Sequence, residues 1–148
     1  MKFDRIDIYH VAMPLIYPWR TSYGEDYDIH AVLVKVTDGD TVAWSESSPL
    51  ESPTYLTESA GGVFKLLSEI IGPHVVGKGF EDADGLNEIM SVFKGNTFAK
   101  AALEIASWAL RVESTGTPLH RLLGGETREV VAGADFGIQD SYDMLLGN

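Results

Sequence analysis

Apolar and polar residues alternate along the first stretch of the chain. Ile6, Ile8, His10 and Ala12 fall on one face, and Arg5, Asp7 and Tyr9 on the other. That period of two predicts a strand over residues 2–13. From Met13 to Asp28 the pattern breaks into a polar and aromatic run carrying Pro14, Pro18 and Gly24, which predicts a long loop. Loops of that length are usually functional lids or disordered. Residues 29–37 (Ile-His-Ala-Val-Leu-Val-Lys-Val-Thr) are strongly β-forming. Asp38-Gly39 signals a tight turn, and Thr41–Glu46 supplies a return strand. The first third therefore predicts a three-stranded antiparallel meander.

Helical periodicity then takes over. Residues 47–57 form a second loop, with Pro49 and Pro53, and Thr57 is placed to cap a helix running to Ile71 and closed by Gly72-Pro73. Asp82 caps a shorter helix in which Leu86, Ile89, Met90 and Phe93 recur at helical spacing. The longest helix covers residues 98–112. Its expected apolar stripe is Phe98, Ala101, Ala102, Ile105, Trp108, Ala109 and Val112, opposite a polar stripe of Lys100, Glu104, Ser107 and Arg111, with Gly116 and Pro118 ending it. A short helix at residues 119–123 leads to a Gly124-Gly125 turn. Trp44 and Trp108 read as core packing.

The last segment differs. Residues 130–138 (Val-Val-Ala-Gly-Ala-Asp-Phe-Gly-Ile) are small and apolar without alternation, as expected of a strand buried on both faces in a parallel sheet or barrel. Ser141 then caps a helix starting at Tyr142. A lone parallel strand with the start of a helix closes no barrel, so the pattern implies a partner chain or a truncated sequence. The fold class expected is α+β: a three-stranded antiparallel meander followed by a helical bundle, and then the first strand of a TIM-type barrel. The boundary is expected at 125, giving one domain over 1–125 and the start of another over 126–148.

Composition narrows the function. The 148 residues, 45% of them apolar, suffice for a core without staples. No cysteine is present, which rules out disulfides and thiolate metal sites and fits a reducing cytoplasm. A charged N-terminus and the lack of any long apolar run argue against a secretory leader or a membrane span. A cytoplasmic, soluble protein is expected. The formal charge of −11 disfavours nucleic acid and anionic membranes as partners. His10, His30, His74 and His120 show no ligand spacing, and Glu25, Asp26 and Asp28 read as a solvated acidic loop. Gly77-Lys78-Gly79 lacks the surroundings of a phosphate loop.

Four local motifs, in order, carry a resemblance. Ala43-Trp44-Ser45-Glu46, Phe98–Ala106, Pro118–Gly125 and Gly133–Ile138 resemble segments of the N-terminal half of muconate lactonizing enzyme-type members of the enolase superfamily. Arg20-Thr21-Ser22-Tyr23-Gly24 and Pro49–Tyr55 resemble the two cap loops of its o-succinylbenzoate synthase and N-acylamino acid racemase branch. The resemblance implies removal of a proton α to a carboxylate by a lysine or histidine base, with Mg²⁺ stabilising the ene-diolate in the complete enzyme. Partners would be a small carboxylate substrate and further copies in a homo-oligomer. Arg20, Thr21, Ser22, Tyr23, Leu50 and Tyr55 are the implied substrate-facing residues, joined by Asp135 and Gln139 near the barrel strand. Where Asp135 stands the family motif usually has serine, which puts an anionic N-succinyl substrate in doubt and hints at an amine such as a dipeptide.

The implied Lys-x-Lys base and the metal carboxylates belong to later barrel strands. Lys65, Lys78, Lys94 and Lys100 are isolated, so no catalytic residue, metal ligand or bound metal is expected in this chain, and no activity of its own. The alternatives are a muconate-type cycloisomerase, a dipeptide epimerase, or a stand-alone interaction module.

Overall fold

The computed structural model describes residues 1–126 and 129–147. Strand β1 (Arg5–Thr21) pairs antiparallel with β2 (Gly24–Asp38), which pairs antiparallel with β3 (Thr41–Ser47), in the order β1-β2-β3. The helices are α1 (Ala60–Leu66), α2 (Gly72–Val75), α3 (Ala83–Met90), α4 (Thr97–Thr115), α5 (Leu119–Leu122) and α6 (Tyr142–Leu146). One sheet face carries Val32, Val34, Val36 and Ala43, and packs with Val63, Leu67, Leu86, Met90 and Leu103 into a single core.

The segment expected as a loop from Met13 to Asp28 is instead a hairpin. β1 and β2 stay paired out to Thr21↔Gly24, with a register break between Pro14 and Trp19. Prolines are tolerated because β1 lies at the sheet edge, and Pro18 falls inside the irregular stretch, where no ladder donor is required. At the other hairpin the turn residues are Gly39-Asp40, one position beyond the expected pair. Gly39 takes φ +58°, and its N–H donates to Asp4 Oδ2 at 2.9 Å.

Ser59, not Thr57, caps α1: its Oγ accepts from Gly62 N at 3.3 Å. Nor does Gly72-Pro73 end the helix. A π turn over Leu67–Ile71 intervenes, Gly72 N–H donates to Leu67 O, and the chain continues helically as α2. In a regular α-helix the Pro73 ring would meet the carbonyl four residues earlier, and the wider turn makes room for it. Asp82 and Ser141 cap α3 and α6 as expected, accepting from Gly85 N at 3.0 Å and Met144 N at 3.3 Å.

The buried face of α4 is Ala99, Ala102, Leu103, Ala106, Ser107 and Leu110, a rotation of about one position from the expected stripe, and Ile105 stands 50% exposed. Two serines of β3 account for this. Ser45 Oγ donates to Ala102 O at 2.6 Å and Ser47 Oγ to Phe98 O at 3.2 Å. Such contacts require the helix backbone to approach the sheet closely, and only the alanine face allows it. Ser107, expected outside, is buried and donates to Glu104 O at 2.7 Å. Trp44, expected in the core, is on the outer sheet face, stacked on Tyr9 at 5.8 Å with Lys35 Nζ 5.7 Å from its ring.

Residues 130–138, expected as a doubly buried strand, form no strand. Val130 and Val131 are almost fully exposed and Phe136 two-thirds exposed. A barrel strand is held by ladder bonds to neighbours on both sides, and none of the described residues offers it that pairing.

Candidate functional site

Two segments far apart in the chain meet beside the sheet. The β1–β2 hairpin ends in the turn Ser22-Tyr23, where Thr21 Oγ1 donates to Gly24 O at 3.0 Å and accepts weakly from Tyr23 N at 3.4 Å. The loop between β3 and α1 is anchored at one end by buried Pro49, and Ala60 N donates to Leu50 O at 3.0 Å. Tyr23 of the first stacks on Tyr55 of the second, ring centroids 5.4 Å apart and planes 17° from parallel. Between them lies a cavity of about 490 Å³, walled by Trp19, Tyr23, Tyr27, Leu50, Tyr55 and Leu56 with polar groups from Glu25, Asp26, Asp28, His30 and Glu51.

Of the residues singled out in the sequence, Tyr23, Leu50 and Tyr55 line this cavity. Arg20, Thr21 and Ser22 lie on the hairpin beside it without forming its wall. Arg20 contacts Asp140 across the fold and lies 3.7 Å from Glu25. The hydrogen bond and charge of Asp140 raise the guanidinium pKa above its ordinary value. Asp135 is exposed and lines no part of the cavity. Gln139 Nε2 donates to Gly137 O at 3.3 Å, and it borders a separate shallow groove between Phe136 and α6.

Several cavity residues escaped the sequence reading. Glu25 and Asp28 are exposed and Asp26 half-buried, in keeping with a solvated acidic stretch, and all three also line the cavity. Tyr27 Oη donates to Glu25 Oε2 at 3.1 Å, and that bond, with the carboxylate's charge, pushes the phenol pKa upward. His30 and His10, dismissed for want of ligand spacing, meet across β1 and β2 with ring nitrogens 3.1 Å apart, and His30 Nε2 is 4.0 Å from Glu51 Oε1. Cross-strand neighbours are set by register, and the pairing of Ala12 with His30 makes His10 its diagonal neighbour.

A three-stranded antiparallel sheet backed by helices, with a hairpin tip and one loop enclosing a cavity, defines an α+β domain. Residues 5–124 match the model for the N-terminal domain of mandelate racemase and muconate lactonizing enzyme, and the chain belongs to that family. It is 32% identical over 146 residues to an o-succinylbenzoate synthase of Bacillus subtilis, covering 98% of this chain and 39% of that protein. It is 30% identical to an N-succinylamino acid racemase of Thermus thermophilus, over 99% of this chain and 40% of that one. The fold matches a solved enolase-superfamily member from Listeria innocua with a TM-score of 0.88 at 24% identity, over 99% of this chain and 40% of that one. The chain thus spans about two-fifths of the length of these relatives.

The family implies Mg²⁺ in the complete enzyme. Among the described residues no three His, Asp or Glu side chains converge so as to hold a metal ion, so the described residues do not fit such a site.

Proposed function

We propose that this chain is the substrate-selecting cap of a Mg²⁺-dependent enzyme that removes the proton α to a carboxylate, of the o-succinylbenzoate synthase and N-acylamino acid racemase type. The observation that carries the reading is the stack of Tyr23 on Tyr55, which unites the hairpin tip and the β3–α1 loop around one cavity. A cap acts by closing over reacting groups held elsewhere, excluding water and admitting only ligands that fit. Its selectivity then resides in the two loops, where Arg20, Thr21, Ser22 and Leu50 take part by position, while Asp135 and Gln139 lie outside both loops and outside the cavity. Residues 126–148 begin the domain that bears the base and the metal. These 148 residues hold no Lys-x-Lys pair, and by themselves they do not catalyse the reaction.

The test is a hybrid enzyme. Residues 1–124 replace the corresponding part of the Bacillus subtilis relative, and turnover is measured on o-succinylbenzoate precursors, N-succinylamino acids and dipeptides. The expected result is a change in substrate preference that reverts when residues 20–24 and 49–55 are restored to those of the relative. Preference unaffected by both loops overturns the reading. Mg²⁺-dependent exchange of an α-proton by the 148-residue chain alone overturns the expectation of inactivity.

A further inference from the structure

Among the described residues nothing covers the rings that wall the cavity. Trp19 is 47% exposed, Tyr23 46%, Tyr27 62% and Tyr55 69%. An isolated exposed aromatic needs no explanation, but several around one concave site mark a surface that gains by receiving a ligand. What kind of ligand follows from the charge. Asp26, Asp28 and Glu51 line it beside Glu25, which already faces Arg20 and accepts from Tyr27, and among the described residues no lysine or arginine lines it. The nearby guanidinium, Arg20, is already engaged by Asp140 and Glu25. Ring faces and carboxylates attract the same sign of ligand charge, and the concave wall concentrates their field.

We propose that this cavity takes a positively charged organic group, an ammonium or guanidinium stacked among the rings. The proposal rests on the cap reading and names its substrate class: the end of the substrate lodged here is cationic. The Bacillus subtilis and Thermus thermophilus relatives are named for succinyl compounds, whose free carboxylate this wall repels. The reacting carboxylate of the substrate then lies outside the cavity, toward the domain that bears the base.

The experiment uses the 148-residue chain and three probes: Nα-acetyl-arginine amide, its neutral isostere Nα-acetyl-citrulline amide, and the anion N-succinyl-phenylalanine. Binding is read from the ring resonances of Tyr23, Tyr55 and Trp19. The arginine probe is expected to bind about tenfold more tightly than the citrulline probe, with the gap shrinking as salt is added. The anion should leave these resonances unmoved. Asp28→Asn with Glu51→Gln should narrow the gap to about twofold while leaving the folded spectrum intact. Equal affinity for the charged and neutral isosteres, tighter binding of the anion, or no shift by any probe in the millimolar range overturns the proposal. The hybrid enzyme separates the two readings. Loop-dependent preference for anionic substrates defeats the cationic assignment and leaves the cap reading standing. Cation binding by the chain with loop-independent turnover does the reverse.

Discussion

Tyr23 and Tyr55 stack across the gap between the hairpin tip and the β3–α1 loop, with centroids 5.4 Å apart. Each ring is about half to two-thirds exposed, so the pair positions the loops more than it stabilises the domain. Tyr55→Ala should cost only about 0.5–1.5 kcal/mol of global stability, yet accelerate amide exchange selectively in residues 49–57 and 21–24. Hydrogen exchange read residue by residue checks this, and unchanged protection in both segments would show that the stack does not join them.

The orientation of α4 makes a sharper forecast. Leu103 is fully buried and Ile105 half exposed. Leu103→Ala should destabilise the domain by about 2–5 kcal/mol, and Ile105→Ala by no more than about 1 kcal/mol. Urea unfolding of the two variants distinguishes the observed face from the rotated one, which requires the opposite ranking.

Glycines in the first helical run should divide by position. A Cβ on Gly72 would collide with the Leu67 carbonyl in the π turn, whereas one on Gly61 meets nothing within 4 Å. Gly72→Ala should lose about 1–3 kcal/mol or reshape the turn. Gly61→Ala should be neutral or gain up to about 1 kcal/mol from helix propensity and a less free unfolded chain. Thermal unfolding of both variants provides the comparison.

Acid should act in part through Asp4. Its pKa is depressed below 3.8, first by the Gly39 N–H and then by Lys2. A carboxylate with a lower pKa folded than unfolded contributes stability above its unfolded value, and that contribution is lost as pH falls through the folded value. Asp4→Asn should therefore lower stability near neutral pH and flatten the acid limb between about pH 5 and pH 2, where the wild-type chain loses this contribution. Urea midpoints across that range test it, and a parallel pair of curves would refute the linkage.

Local signals in the chain were read reliably where a neighbour within a few residues satisfied them. Asp82 and Ser141 cap helices because each side chain needs only the N–H three residues on. The pairing of β2 with β3 followed from two alternating runs joined by a glycine turn. The hairpin beyond Met13 was misread because proline counts as a breaker along one strand, and its tolerance depends on lying at the edge of a sheet. The spacing of Ala99, Ala102, Leu103, Ala106 and Leu110 was visible, but α4 carries apolar residues on more than one face. Only the close approach demanded by Ser45 and Ser47 selects among them.

The same division holds for the candidate site. Tyr23, Leu50 and Tyr55 were legible from motif resemblance. The wall formed by Trp19, Tyr27, Asp26 and Asp28, and the meeting of His10 with His30, were not. The sequence by itself determined the meander, the caps of α3 and α6, the absence of thiol chemistry and the family, because each rests on residues near one another in the chain or on composition. Only the tertiary structure decided which face of α4 is buried, that the hairpin extends to Thr21↔Gly24, and that its tip meets the β3–α1 loop around an acidic, aromatic cavity. Those outcomes depend on packing between segments distant in sequence, where the steric fit of one backbone against another selects among faces and registers that local pattern leaves equivalent.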